Sequence, residues 1–417
     1  MTYEEVLYSI HSRKAFSTGG PTLDRIRRLM DRLGDPQEDF KTVHVAGTNG
    51  KGSCCAMLDA ALRANGYQTG LFTSPYLKDF RERIRIDGEM ISKELLTHCY
   101  ETVMEQQTAI EQEGFEPINE FELVTAIAFV AYSRLKVEYV VLEVGLGGRT
   151  DPTNLVKSPA VSVIMPISLD HTAVLGNTVA EIAAEKAGII KAGRPVVTAH
   201  QTTEALNVIY ATAEKASAEV FEAEEVIPLC QEKTGSDFFC GDTNLDILLL
   251  GEHQMENAAA AWKTLEVLGL ANLESKKAFR HVSWPGRLQY FPGKPEFLVD
   301  AGHNRAGVAS LCIALRKLFD GQNIIAIMAM MKDKDHEFCI PAIAQRSKAV
   351  IGTTVGLPRS LTPDQVAKEA ERYCRSYTAG NMQEAIAMAK NLAEDGDLIL
   401  VCGSVYAAGD ALLELEG

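Results

Sequence analysis

A glycine-rich segment, Gly47–Ser53 (GTNGKGS), contains the residue types that bind phosphate groups. Its glycines let backbone N–H groups turn toward an anion, and a helix that starts after the loop adds the positive end of its dipole. Lys51 is placed to reach the outer phosphates of a nucleotide, and Ser53 to ligate Mg²⁺. The spacing departs from the general phosphate-loop template, because two residues rather than four separate the first two glycines. We interpret the segment as a nucleotide site rather than a tight turn with a surface lysine, with all seven residues contributing: Gly47, Thr48, Asn49, Gly50, Lys51, Gly52 and Ser53.

Polar residues that could bind Mg²⁺ follow three other apolar segments. Glu143 ends the run Tyr139–Leu142, where a carboxylate is costly unless it is paired or bound to a cation. A salt bridge to a lysine would satisfy it, but a nucleotide loop in the same domain favours Mg²⁺. His171 and Ser74 follow further strand-like segments. Taken alone, these two are better explained as a hydrogen-bonded structural histidine and a turn serine before proline.

Lys186 interrupts an apolar stripe on a predicted helix. It lies four residues after Ile182 and seven after Val179, on the face that packs inward. A buried lysine has a lowered pKa and a nucleophilic neutral amine. It could pair with a carboxylate, or it could carry CO₂ as a carbamate and become an anionic metal ligand. The residues alone leave both interpretations open.

The C-terminal part of the chain offers a second set of candidates. Asp300 and His303 follow a strand, where ligands bind in open α/β sheets. Asp300 could hold ribose hydroxyls and His303 a phosphate, although a polar turn would look the same. Arg287 could reach a triphosphate or could simply be solvated. The segment around Asn257 could read adenine or could cap a helix.

The elements that carry these residues alternate between short apolar strands and amphipathic helices, which is typical of a largely parallel sheet. The helix before the glycine loop is predicted to end at Gly34. The other predicted segments of the first part are strands at Thr42–Ala46, Thr69–Phe72, Tyr139–Val144, Ala160–Met165 and Pro195–Thr198, and helices at Lys51–Asn65, Glu120–Leu135 and Thr178–Ile190.

A stretch with three prolines and two glycines, residues 284–295, is predicted to be a linker. The alternation restarts after it, with strands at Glu296–Val299, Asn323–Met328, Ala349–Gly352 and Asp397–Val401. We therefore predict an α/β protein of two domains. Residues 1–290 would form a large N-terminal P-loop α/β ATPase domain, and residues 291–417 a smaller C-terminal Rossmann-like α/β domain.

The composition of the chain favours some classes of binding partner over others. The chain has 417 residues and a formal net charge of −15, which disfavours nucleic acid and anionic membranes. The N-terminus has no basic segment followed by an apolar core, and the apolar runs are strand-sized, so neither a signal peptide nor a membrane span is predicted. Nine scattered cysteines without a C-x-x-C pattern suggest reduced thiols and the cytoplasm.

Taken together, the motifs resemble the folylpolyglutamate synthase/dihydrofolate synthase family, a branch of the Mur ligases, nearly from end to end. The matching segments, in order, are GTNGKGS at Gly47–Ser53, TSPYL at Thr73–Leu77, EVGLGGR at Glu143–Arg149, LDH at Leu169–His171, EKAGI at Glu185–Ile189, HQMENAA at His253–Ala259, WPGR at Trp284–Arg287, DAGHN at Asp300–Asn304 and GSVY at Gly403–Tyr406.

The resemblance implies an ATP-dependent ligase that forms an acyl phosphate and attaches glutamate to a reduced folate, to dihydropteroate or to both. Its cofactors would be ATP and Mg²⁺, and Lys186 would be carbamylated. Mg²⁺ would be bound by Ser53, Ser74, Glu143 and His171, and ATP by the glycine loop with Asn257, Arg287, Asp300 and His303. The catalytic residues would be Lys51, Lys186 and His171.

The substrate side is expected around Tyr76, Arg81, Arg83 and Phe121. Phe121 lies in a segment that resembles the family's pterin-side helix. Arg81, Arg83 and Arg85 alternate, and on a strand they would share one face that could meet an anionic glutamate tail. The alternatives are a Mur-type ligase with a non-folate carboxylate, and a P-loop NTPase that forms no amide. We expect a cytoplasmic monomer with small-molecule substrates.

Overall fold

The computed structural model describes residues 1–14 and 22–416. They form two compact units that are not contiguous in sequence. The first unit comprises residues 1–76, 81–225 and 256–279, and the second comprises residues 77–80, 226–255 and the chain from Arg280 onward. The units are therefore not separated by a single cut at residue 290, and the assignment of ligase functions to residues 1–290 and 291–417 stays a prediction.

The first unit alternates strands and helices as predicted. Its strands are β1 (Lys41–Ala46), β2 (Thr69–Phe72), β3 (Ile84–Ile86), β4 (Glu89–Met90), β5 (Tyr139–Glu143), β6 (Val161–Ile164), β7 (Val196–Thr198) and β8 (Val220–Glu222). Its helices are α1 (Tyr3–His11), α2 (Asp24–Leu33), α3 (Lys51–Ala64), α4 (Lys93–Gln112), α5 (Glu120–Leu135), α6 (Thr172–Leu175), α7 (Val179–Lys186), α8 (Thr203–Lys215), α9 (Glu252–Val267) and α10 (Leu273–Arg280). The first four residues of α9 and the last residue of α10 belong to the second unit.

Within the described residues, the strands of the first unit form one eight-stranded sheet in the order β4-β3-β2-β5-β1-β6-β7-β8. The six strands from β2 to β8 in this order run parallel, and β3 and β4 add an antiparallel edge. The carboxyl ends of β2, β5, β1, β6 and β7 are therefore neighbours at one edge of the sheet, the edge at which open α/β proteins bind their ligands.

Local sequence explains where the helices of this unit begin and end. Helix α5 matches the predicted span, because Asn119 and Glu122 form a capping box at its start. Helix α2 stops at Gly34 as predicted, and this C-cap residue adopts the left-handed conformation. Helix α7 starts after the N-cap Thr178 but ends at Lys186, earlier than predicted, because a 3₁₀ turn at Ala187–Ile189 follows it.

The second unit contains two sheets. Its strands are β9 (Val226–Glu232), β10 (Gly235–Cys240), β11 (Thr243–Ile247), β12 (Gln289–Phe291), β13 (Glu296–Val299), β14 (Ile324–Met328), β15 (Ala349–Gly352), β16 (Arg375–Thr378) and β17 (Leu398–Cys402). Its helices are α11 (Arg305–Leu318), α12 (His336–Ala344), α13 (Pro363–Ala370), α14 (Met382–Leu392) and α15 (Val405–Glu416). The larger sheet has the order β12-β13-β17-β14-β15-β16, and β9–β11 form a small antiparallel sheet.

The larger sheet of the second unit is buried on both faces. One core cluster lies between it and helices α11, α12 and α13, and another lies between it and helices α14 and α15. Strand β14 alternates between them, since Ala326 and Met328 join the first cluster and Ile325 and Ile327 the second. This doubly covered sheet confirms the predicted α/β class.

One sequence prediction about this unit was wrong in part, and one sheet was missed. The predicted linker at residues 284–295 contains β12, which pairs antiparallel with β13, because its apolar residues can cover the edge of that sheet. The small sheet β9–β11 was not predicted.

Among residues 1–14 and 22–416, no helix combines the length and the apolar character needed to span a bilayer.

Candidate active site

The glycine loop connects β1 to α3, and its geometry requires glycine at two positions. Gly47 has φ +151° and Gly50 has φ +84°, which side-chain-bearing residues rarely adopt. A Cβ atom on Gly47 would lie 2.5 Å from Met165 Cβ, and one on Gly50 would lie 2.1 Å from Asn257 Oδ1. The predicted nucleotide residue Asn257, on α9, is thus packed directly against the loop.

Lys51 is the first residue of α3, and its side chain folds back over the loop. Its ammonium donates hydrogen bonds to the carbonyl oxygens of Gly47 and Thr48, both at 3.2 Å. The N-cap of α3 is Gly50, which provides no side-chain cap, so the positive end of the helix dipole lies beside this cation. The loop therefore combines a helix N-terminus with a lysine, as an anion site requires.

Glu143 is a buried carboxylate at this edge of the sheet. It is 5% exposed at the end of β5, and its Oε2 accepts a hydrogen bond from the Ser74 backbone N–H at 3.0 Å. Its Oε1 lies 4.0 Å from Lys51 Nζ. The sequence prediction favoured Mg²⁺ over a salt bridge to a lysine at Glu143, and the structure shows that a lysine is near.

The donor types present fit Mg²⁺. Ser53 is buried in the first turn of α3, next to the loop, and Glu143 supplies a carboxylate at the neighbouring strand end. Mg²⁺ commonly uses one or two carboxylates and completes its octahedron with phosphate oxygens and water. Within the described ranges no three His, Cys, Asp or Glu side chains cluster as a metal site.

His171 is the least enclosed of the predicted metal ligands. It is the N-cap of α6, with φ +51°, and its side chain is 45% exposed. Its Nε2 lies 3.9 Å from the carboxylate of Asp170. The structure therefore places it in the loop after β6, at the same edge of the sheet, and its role as a ligand stays a prediction.

Lys186 lies at the end of α7 and is buried as its helical stripe predicted, with 5% of the residue exposed. Its ammonium nitrogen donates to the carbonyl oxygen of Gly47 at 2.8 Å. Burial, with a smaller contribution from the positive charge of Lys51, lowers the pKa of Lys186 from 10.5 to about 7. A substantial fraction of this amine is therefore neutral and nucleophilic near neutral pH.

Three of the four predicted substrate residues lie around the start of α5. The guanidinium of Arg83 stands 5.4 Å from the centre of the Tyr76 ring and 3.9 Å from the carboxylate of Glu120. His11 Nδ1 lies 3.5 Å from the same carboxylate. Burial alone would raise the pKa of Glu120, but His11 and Arg83 outweigh it and the pKa is lowered.

Phe121 packs against Gly145, where a Cβ would meet its ring at 2.4 Å.

The prediction that Arg81, Arg83 and Arg85 share one strand face was wrong. Residues Phe80–Arg83 form a 3₁₀ turn, and only Arg85 lies in β3. The cause is the length of the partner strand: β2 ends at Phe72, which pairs with Ile84, so the residues before Ile84 have no strand to pair with. Arg81 and Arg83 remain in the first unit, on the turn that leads into β3.

The remaining predicted nucleotide residues lie in the second unit. Asp300 is buried after β13, and its two carboxylate oxygens accept hydrogen bonds from the N–H groups of Leu288 and Gly302 at 3.0 and 2.8 Å. His303 Nδ1 lies 2.9 Å from the Ala301 carbonyl oxygen. Asp300 therefore connects two parts of the second unit: the turn that contains His303 and the segment that contains Arg287.

Sequence similarity agrees with this geometry. Residues 45–265 match the Mur ligase middle domain, and residues 286–405 match the glutamate ligase domain of Mur ligases. The first match alone spans more than half of the chain. The chain belongs to the Mur ligase family.

Relatives of known name place it within that family. It is 34% identical to the dihydrofolate synthase/folylpolyglutamate synthase of Bacillus subtilis, with 99% of each chain covered. It is 33% identical to the folylpolyglutamate synthase of Lacticaseibacillus casei, covering 100% of this chain and 99% of that one. The folylpolyglutamate synthase of Mycobacterium tuberculosis, solved with ADP and AMPPCP, superposes with a TM-score of 0.91 at 32% identity and covers 100% and 98% of the two chains. The chain is thus a Mur ligase of the folylpolyglutamate/dihydrofolate synthase branch, an ATP-dependent ligase.

The structure of this ligase also shows a buried residue that sequence reasoning did not single out. Asp151 accepts hydrogen bonds from the Leu146 N–H at 2.8 Å and from the Thr153 hydroxyl at 2.6 Å, which holds the turn after Glu143. Burial raises the pKa of Asp151. The signal was present in the sequence, because an aspartate before Pro152 is a typical helix N-cap.

Proposed function

We propose that this ligase joins L-glutamate to a pteroyl substrate, a reduced folate or its glutamylated forms and also dihydropteroate, through an acyl phosphate. The observation that carries the proposal is the grouping of three charged side chains at the glycine loop: Lys51 and Lys186 both donate to the Gly47 carbonyl oxygen, and Glu143 lies 4.0 Å from Lys51. It is supported by the match to a glutamate ligase domain and by the names of the relatives. A nucleotide hydrolase that forms no amide is not favoured by these matches.

In the proposed reaction the phosphates of ATP lie on residues Gly47–Ser53. A carboxylate oxygen of the pteroyl substrate attacks the γ-phosphorus, the bond to the β–γ bridging oxygen breaks, and ADP leaves. Lys51 and the N-terminal dipole of α3 offset the negative charge that spreads over the transferred group. Mg²⁺, held by Ser53, Ser74, Glu143 and His171, would supply further charge neutralisation. The amine of glutamate then attacks the acyl carbon and inorganic phosphate leaves.

Lys186 is proposed to act as a carbamate. Its neutral amine would form an N–C bond to CO₂ and release one proton, which converts a potential cation into an anion. The pKa of about 7 supports this, because a lysine with an ordinary pKa would hold little neutral amine at pH 7. An anion at this position would balance the positive charge of Lys51 and of bound Mg²⁺. Incubation with ¹³C-bicarbonate followed by carbon NMR should show a carbamate signal in the wild-type enzyme and none in Lys186→Met. A wild-type spectrum without that signal would contradict the carbamate.

The pteroyl substrate is proposed to bind against the start of α5. An aromatic ring system would contact Phe121 and Tyr76, and Arg83, with Arg81 on the same turn, would face anionic groups of the substrate. The cation–ring contact between Arg83 and Tyr76 supports this, because it holds a guanidinium at a fixed place.

The second unit is proposed to complete nucleotide binding. Arg287, Asp300 and His303 would contact ATP from that unit, and Asn257 would contact it beside Gly50. What supports this is the position of Asp300 and His303 just after β13, at a carboxyl end of the second parallel sheet. We retain the division into an ATP-binding ligase domain at residues 1–290 and a glutamate ligase domain at residues 291–417 as part of this proposal.

Replacing Lys51 with alanine tests the phosphate loop. One unit charge about 4 Å from another interacts with about 4 kcal/mol at an effective dielectric constant of 20. Losing it should therefore slow turnover by on the order of 10²-fold or more. Lys41→Ala is the matched control, because Lys41 is exposed at the start of β1 and should leave turnover unchanged. Near-normal ADP release by folded Lys51→Ala protein would remove the assignment.

Substrate identity is tested by ATP-dependent incorporation of labelled glutamate. We expect incorporation with dihydropteroate and with reduced folates, and none with a UDP-linked muramyl acceptor. Turnover on the muramyl acceptor alone would overturn the folate proposal and leave the ligase chemistry standing.

A cytoplasmic monomer without nucleic-acid or membrane partners is also proposed. All nine cysteines are free thiols, which supports a reducing compartment. Light scattering coupled to gel filtration would measure the mass in solution, and a dimer would contradict the monomer.

A further inference from the structure

Gln201 holds the end of the sheet next to the glycine loop. It lies just after β7 and before α8, and both the oxygen and the nitrogen of its side-chain amide form hydrogen bonds. Its Oε1 accepts a hydrogen bond from the Ile167 N–H at 3.0 Å. Its Nε2 donates to three oxygens: the carbonyl oxygens of Ile164 at 3.2 Å and Met165 at 3.1 Å, and the Thr198 hydroxyl at 3.3 Å.

Most of the backbone that Gln201 bonds lies beyond the paired part of strands β6 and β7. Strands β6 and β7 pair up to Ile164 and Thr198 and then separate. The residues after Ile164 therefore have no strand on the β7 side to bond with, and the glutamine amide takes the place of that strand. The path of residues 165–167 is thus fixed on the β7 side by Gln201, and on the β1 side by the hydrogen bond from the Met165 N–H to the Ala46 carbonyl oxygen at 2.7 Å.

Those residues in turn carry the glycine loop. The Thr48 N–H donates to the Pro166 carbonyl oxygen at 2.9 Å. The Thr48 hydroxyl donates to the Ser168 carbonyl oxygen at 3.1 Å and lies 3.1 Å from the Ser168 N–H. Met165 packs so closely on Gly47 that its Cβ is 2.5 Å from where a side chain would start. The loop between β1 and α3 therefore rests on the segment that Gln201 holds.

We propose that Gln201 is a positioning residue for nucleotide binding, acting through residues 165–168 on Thr48 and Gly47 without contacting the nucleotide. The inference rests on the proposed role of Gly47–Ser53 as the phosphate site. Small displacements of positioning groups are expensive, since about 1 Å can cost on the order of 10²-fold. The amide should therefore affect the binding of ATP more than the binding of the other two substrates.

The test compares Gln201→Leu with Gln322→Leu. Gln322 is a matched control in the second unit, because its Nε2 donates to Glu296 and to the Gly396 carbonyl oxygen, both at 2.9 Å, and its Oε1 accepts from Lys233 at 3.0 Å. Both variants lose a partly buried amide network and should lose thermal stability. Only Gln201→Leu should raise the KM for ATP and the Kd for ADP, by about tenfold, with the KM for glutamate unchanged.

A second variant separates the donors from the acceptor. Gln201→Glu has the same shape and can still accept from Ile167, but it loses the donors to Ile164 and Met165 and places negative charge against their carbonyl oxygens. It should also raise the KM for ATP, and it serves as the test if Gln201→Leu does not fold. A KM for ATP in both variants equal to that of Gln322→Leu would overturn the proposal. If Lys51→Ala abolishes turnover and the Gln201 variants bind ATP normally, only this inference fails; if Lys51→Ala is active, the phosphate-loop assignment fails first.

Discussion

Replacing Lys186 with methionine is expected to make the folded chain more stable and the enzyme inactive. The side chain is buried, and its pKa is lowered from 10.5 to about 7. At 1.36 kcal/mol per pH unit, keeping this group in the folded state costs up to about 5 kcal/mol of unfolding free energy when the group is protonated in both states. Methionine has a similar length and no charge to bury. It loses the hydrogen bond to the Gly47 carbonyl oxygen, which offsets roughly 1–3 kcal/mol of the gain.

The sign of the pH dependence follows from which state binds the proton. Between pH 7 and 10.5 the unfolded chain keeps Lys186 protonated while the folded chain does not, so wild-type stability rises with pH across this window. The cost of burying the lysine is fully present below pH 7, is about 4 kcal/mol at pH 7 and falls to about 2 kcal/mol at pH 9. The stability advantage of Lys186→Met should therefore shrink by about 2 kcal/mol between pH 7 and pH 9.

Urea unfolding in CO₂-depleted buffer at these two pH values measures the effect, and glutamate incorporation measures activity. Lys348→Met is the control with the opposite sign. Its side chain pairs with Asp397, and this contact raises the pKa of Lys348, so its removal should lower stability and leave activity unchanged. A Lys186→Met protein that is less stable than wild type at pH 7, or one that retains ligase activity, would refute the reasoning.

Two further predictions concern the first unit. Gly50→Ala should abolish nucleotide binding, measured by calorimetry with ADP, whereas Gly66→Ala should not. Both glycines have φ +84°, but of these two only at Gly50 does the added carbon meet an atom, Asn257 Oδ1 at 2.1 Å. Equal effects of the two substitutions would contradict this prediction. Arg25→Met should lower the unfolding free energy by about 3–5 kcal/mol, because it leaves the buried carboxylate of Glu122 without the guanidinium that contacts it at 2.8 Å. Combining it with Glu122→Gln, which keeps the capping box, should recover most of that loss in chemical denaturation, and a double variant no more stable than Arg25→Met would count against the pairing.

Elements that depend on their own residues could be predicted from the sequence. Helix α5 has its capping box and its apolar residues in one continuous segment, and its predicted bounds match the structure. The glycine loop and α3 are equally local, because strand, turn glycines and helix follow one another. Lys186 was predicted to be buried from its position on a helical stripe, and it is.

Features that depend on distant partners could not be predicted. The turn at Phe80–Arg83 replaced the predicted strand because β2, a separate segment, ends at Phe72. Glu143 meets Lys51 because β5 inserts between β1 and β2, and no local pattern encodes that order. Gln201 gave no signal at all, since its importance comes from β6 and β7 ending side by side.

The discontinuous composition of the two units constrains how the chain can fold during synthesis. The polypeptide passes from one unit to the other five times, and the first unit receives its last residues, α10 up to Phe279, only after the thirty residues from Val226 to Met255 have been made for the second. Those thirty residues, and the four from Leu77 to Phe80, emerge from the ribosome well before the parallel strands β13–β17 of their own unit exist. The chain therefore has to keep them from aggregating until translation is nearly complete, and a fragment that stops at residue 290 would carry β9–β11 without most of the unit to which they belong.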